Sequence, residues 1–209
     1  MAKAYPIAIN EVENETLVNR SRFICYLSPC SSPEQAKSFI KNCQLLHPQA
    51  SHHCYAFLVG DPNDSQKYGF SDDGEPTGTA GRPMLAVLQG GGVGEICAVV
   101  VRYFGGVKLG TGGLQRAYGA SVRQALTFLH TEIKIPMVHK TLACQYTQVN
   151  DVLHLLGLVG GQVIKQQYLE AVLFTLAIPE SQLSSFKQQL LTLSAGQLLL
   201  KKLTDNASH

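Results

Sequence analysis

The 209-residue chain is short of charge: Asp, Glu, Lys and Arg make up 15% of it, against roughly 25% in an ordinary soluble domain. Its 17 basic and 15 acidic residues leave a net charge of only +2. That excludes a wholly basic nucleic-acid coat or membrane-surface binder and confines any such role to a local patch. Long apolar runs are missing as well. Ile96 to Val101, the longest near the centre, falls far below the roughly 18 residues a membrane span requires, so no membrane partner is expected. Met1 to Asn10 has no basic start followed by an apolar stretch, so no secretory leader is read and the expected compartment is the cytoplasm. Paired cysteine motifs are absent. Cys25, Cys30, Cys43, Cys54, Cys97 and Cys144 share no repeated spacing, in a chain long enough to fold without staples, and read as free thiols. No residue type dominates, and a hydrophobic content of 45% excludes fibrous and disordered classes.

What is present is a regular succession of elements. Ser21 to Leu27 and His53 to Gly60 read as strands. Between them Ser32-Pro33-Glu34-Gln35 signals a helix start, with Ala36, Phe39, Ile40 and Cys43 on one face and His47-Pro48 at the end. Phe70 to Gly81 reads as a long polar loop, followed by a short helix near Pro83 to Leu88 and a flexible Gly90-Gly91-Gly92. The β-branched run Ile96 to Val101 marks a strand buried on both faces. Leu114 to Leu129 keeps a helical period. Composition shifts at Ile133 to Pro136, which sets the expected domains at 1–134 and 135–209. The second half reads strand 140–146, helix 149–156, strands 162–167 and 171–178, helix 180–193, strand 197–202. That βαββαβ order predicts a ferredoxin-like sandwich and an α+β chain of two domains.

Two segments carry the candidate chemistry. Arg102-Tyr103-Phe104-Gly105-Gly106-Val107-Lys108-Leu109-Gly110-Thr111-Gly112-Gly113 links the buried strand to a helix. Such a turn exposes backbone amides at a helix N-terminus, and Arg102, Lys108 and Arg116 add full charges, so an anion such as phosphate is the expected ligand. The alternative is that the glycines only allow a tight turn and close packing. Gly105 and Gly110 have the spacing of a phosphate loop, but Thr111 stands where the lysine is required, so this is no Walker motif. The second segment, Ser71-Asp72-Asp73-Gly74-Glu75, places three carboxylates within four positions. It lacks the register of a calcium loop. Turn capping, or pairing with Arg82, is preferred to a magnesium site. His52 and His53 point to opposite faces of a strand and lack the companions of a zinc site. No catalytic nucleophile, metal or cofactor is assigned.

These segments, with His52-His53-Cys54 ahead of them and Val99-Val100-Val101 leading into the glycines, resemble the YigZ/IMPACT family over most of residues 20–130. The resemblance implies an N-terminal α/β sandwich with the fold of the second domain of a small-subunit ribosomal protein. It also implies a C-terminal domain similar to ferredoxin-like domains of an elongation factor. Both point towards translation. The function expected is therefore a non-catalytic binding or regulatory protein contacting RNA, the ribosome or a translation factor through the basic glycine loop. The alternative is a nucleotide- or metal-dependent enzyme, a phosphotransferase or hydrolase, using that loop with His53 and the acidic loop. A third reading makes the ferredoxin-like half a docking or dimerising module.

Overall fold

The structure, a computed structural model, describes residues 3–64 and 67–203; residues 1–2, 65–66 and 204–209 of the two expected domains lie outside them. The chain divides into two compact units, Tyr5–Lys134 and one built from Ile135 onward, and each is α+β.

In the first unit a five-stranded antiparallel sheet runs β2-β3-β6-β4-β5. Its strands are β2 (Val12–Val18), β3 (Ser21–Pro29), β4 (His52–Leu58), β5 (Tyr68–Ser71) and β6 (Ile96–Tyr103). The central β6 is buried on both faces because helices cover both. Alternation divides its side chains: Ile96, Ala98 and Val100 pack with Phe23, Cys25 and Leu27 of β3 against helices α2 (Gly81–Gly91) and α3 (Gly110–Leu126). Cys97, Val99 and Val101 pack on the other side against Ala36, Ile40 and Cys43 of α1 (Pro33–Leu46). Ser32 caps α1 by accepting the Gln35 amide at 3.3 Å, and Pro33 opens it. A two-stranded ribbon, β1 (Tyr5–Ala8) with β7 (Thr131–Lys134), ties the ends of the unit together.

The second unit holds β8 (Met137–Cys144), α4 (Val149–Leu158), β9 (Gln162–Tyr168), β10 (Val172–Pro179), α5 (Leu183–Leu193) and β11 (Lys201–Lys202). Its antiparallel sheet order, β11-β8-β10-β9, is the first strand flanked by the fourth and third, which is the ferredoxin-like arrangement. Leu142, Phe174, Leu176, Phe186 and Leu190 form its core.

Several elements differ from expectation. The polar stretch beginning at Phe70 contributes β5, because Tyr55 to Leu58 of β4 pair with it. The α2 helix absorbs Gly90 and Gly91 and ends at Gly92, whose φ of 67° caps it in the left-handed region. The α3 helix starts four residues earlier than its apolar period, at Gly110, since glycine carries no apolar signal. The final strand is two residues long, Lys201–Lys202. All six cysteines are buried and unpaired. Among the described residues no helix is long and apolar enough to cross a membrane.

Candidate functional site

The site forms where β6 leaves the sheet. Arg102 follows Val100 in the alternation, so its side chain enters the layer between the sheet and α3 rather than solvent. The cross-strand partners of Arg102 are Phe23 and His52. Beyond Phe104 the chain crosses the β2–β3 turn so closely that a Cβ on Gly105 would run into the Arg20 carbonyl, and there the glycine is sterically required. Ser21, wholly buried, clamps this crossing: its hydroxyl oxygen accepts the Gly105 amide at 3.2 Å and an Arg102 Nη2 proton at 3.3 Å.

The three carboxylates of the acidic loop do three different jobs. Asp72 accepts the amides of Gly78, Ala80 and Gly81 at 2.8, 2.9 and 2.9 Å. Burial works to raise its carboxyl, but those three amides, with Arg82, outweigh burial and hold it below its ordinary value. This matches the turn-capping role preferred from the sequence. Asp73 accepts the His53 amide at 2.6 Å, and its backbone carbonyl bonds His52 Nδ1 at 2.8 Å, so that nitrogen carries the proton. Ser71 Oγ accepts the Asp73 amide at 3.1 Å, and Gly74 supplies a φ of 83°.

Glu75 turns inward. Its Oε1 accepts Arg102 Nη1 at 2.6 Å and the Tyr118 hydroxyl at 2.8 Å, and His52 Nε2 stands 3.9 Å away. The Arg102 guanidinium lies over the rings of Phe23 and Phe104, 5.4 and 5.5 Å from their centroids. Burial, reinforced by Cys54 and Glu75, pushes the Tyr118 hydroxyl far up in pKa, so it remains a donor. Burial does the same to the Cys54 thiol, which donates to the Asp72 carbonyl and is no ionised nucleophile.

The sequence leaves open whether Arg102 faces solvent or pairs with the acidic loop; in the structure the buried Glu75 carboxylate holds it, because a guanidinium in this layer without a partner would cost several kcal/mol, on the order of 3–5. The carboxylates do not converge on a cation either, and His53 faces away from Glu75, with Nε2 at 3.1 Å from the His47 carbonyl. What remains facing outward is the rest of the glycine segment. Lys108, Thr111, Gly112 and Arg116 are exposed, while Gly113 packs against Leu109. Gly106 and Gly110 have φ of 82° and 70°.

Above the Glu75–Arg102 pair lies a cavity of about 380 Å³, walled by Pro76, Phe104, Lys108, Leu109, Thr111 and Leu114. The first turn of α3 faces it with neither a side-chain cap nor an acidic residue, so its leading amides are unanswered within the helix. The sequences of α2 and α3 contain no acidic residue at all. Arg82, Arg116 and Arg123 are exposed on these two helices, and Lys108 stands just ahead of α3. Among the described residues Lys108, Arg116 and Arg123 make no ion pair. One layer of a nearly neutral chain thus carries a single sign of charge.

Sequence reasoning missed Ser21 and Tyr118 as parts of the site, and gave Phe104, inside the glycine segment, no role of its own. Tyr118 has the α3 core period, and only the packing of α3 beside the acidic loop brings its hydroxyl end to Glu75.

Residues 19–126 match the model of the Impact N-terminal domain, and residues 142–197 match a domain of unknown function, DUF1949. The IMPACT family member YigZ of Escherichia coli is 49% identical over 183 residues, covering 88% of this chain and 90% of that protein. An IMPACT family member of Haemophilus influenzae is 43% identical, with 95% and 97% covered. The Bacillus subtilis member YvyE is 38% identical, with 91% and 87% covered. A solved structure described only as that of a hypothetical protein is 45% identical, with a TM-score of 0.70 over 99% of this chain and 100% of that one.

Proposed function

The chain belongs to the IMPACT family, and from that premise we propose that it is a non-catalytic binding and regulatory protein of translation, acting in the cytoplasm and contacting RNA, free or in the ribosome, through the glycine loop and the start of α3. The observation that carries this reading is the acid-free α2–α3 layer, with Lys108, Arg116 and Arg123 exposed and without ion pairs among the described residues. Phosphates attract such a layer whatever the base sequence, and each neutralised phosphate releases counterions. The buried Glu75–Arg102–Tyr118 network supports the loop from beneath and keeps the Glu75 carboxylate inside the protein.

The test is equilibrium RNA binding across a salt series, for the natural chain and for Lys108→Glu/Arg116→Glu. The proposal expects a steep salt dependence that flattens by about two in log–log slope in the variant, with affinity lost equally across sequences. Salt-independent binding, or unchanged binding by the variant, contradicts it.

A further inference from the structure

We infer that the cavity above Glu75 and Arg102 holds one unpaired nucleotide of the bound RNA, its base stacked on Phe104 and its phosphate at Lys108 and the leading amides of α3. This rests on the RNA reading above and adds to it a preference for single strands.

Three observations support it independently of charge. Phe104 is 50% exposed at the rim of the cavity, and an aromatic face beside a cationic groove is how single-stranded bases are held without sequence preference. The volume, about 380 Å³, lies in the range of small-molecule sites, roughly 300–1,000 Å³. Finally, Gly112 is a glycine the fold does not ask for: its φ is not left-handed, and a Cβ there would meet nothing within 4 Å. A bare backbone in the first turn of a helix, weakening that helix, is accounted for by a ligand approaching its amides. Glu75 does not repel the phosphate, because its side chain is 3% exposed and its charge is matched by Arg102.

The chain contains no tryptophan, so Phe104→Trp creates a single fluorescent reporter at the stacking position. A 12-nucleotide oligouridylate and a 12-base-pair RNA duplex are titrated into that variant, into Phe104→Leu and into the natural chain, with binding followed in parallel by anisotropy. The inference expects the oligouridylate to quench the tryptophan of F104W. It also expects Phe104→Leu to bind the single strand about tenfold more weakly while binding the duplex as the natural chain does. If the oligouridylate binds the natural chain and Lys108→Glu/Arg116→Glu loses it, yet F104W is not quenched and Phe104→Leu binds normally, the nucleotide pocket is overturned and the electrostatic reading stands. If neither RNA binds the natural chain at low salt, both are overturned.

Discussion

Glu75 and Arg102 meet at 2.6 Å with both side chains almost wholly inside the protein. This one pairing sorts the glycine and acidic loops into two sets. Glu75, Arg102 and Asp72, with His52, Ser21 and Tyr118, fix the backbone from within. Lys108, Thr111, Gly112 and Arg116 face outward over the frame so formed. The residues that look most chemical in the sequence are thus the ones that hold the site together, and the plainer ones are left exposed.

The pair should behave as a unit in stability. Glu75→Ala or Arg102→Ala alone strands a buried charge and should cost about 3–5 kcal/mol, whereas the double variant should cost much less than the sum of the two. Urea unfolding of the four proteins gives the cycle, and additive losses would contradict the coupling.

Asp72 should set an acid limit. Its carboxyl titrates below its ordinary value of 3.8 in the folded chain, so its contribution is complete above that value and is lost as pH falls through the depressed one. Asp72→Asn should cost about 1–2 kcal/mol at neutral pH, since an amide replaces a charged acceptor of three backbone donors. The gap between the two proteins should close below about pH 3.8. Equal stabilities at pH 7, or a gap that widens in acid, would contradict this.

Two neighbouring glycines should respond oppositely. Gly105→Ala forces a methyl into the Arg20 backbone and should destabilise by about 2 kcal/mol or more. Gly112→Ala meets open space and should stabilise by about 0.5–1 kcal/mol, while weakening RNA binding. Thermal melts beside RNA titrations check both, and a Gly112→Ala protein that is more stable and binds fully would remove the functional reason for that glycine.

The local signals in the sequence were sufficient for much of the fold. The β-branched run of β6 declared a strand covered on both sides, the Ser32-Pro33 start declared α1, and the element order of the second half declared its ferredoxin-like sheet. The strands that escaped are those without a local signature. In β2, Glu13 and Glu15 point outward on an edge strand. The β1 and β7 strands are four residues each and exist through pairing across more than a hundred positions, Tyr5 with Lys134. The site followed the same division. The glycine loop and its exposed lysine and arginine are visible as a motif. The direction of Arg102 depends on which face of β6 meets α3, and that parity is set by the whole sheet.

The most direct measurement is co-sedimentation of the protein with ribosomal particles at low and moderate salt, beside the Lys108→Glu/Arg116→Glu variant. The account predicts association at low salt that falls steeply as salt rises and is abolished by the two reversals. Failure to sediment with the particles at low salt, or equal sedimentation of the variant, would contradict it.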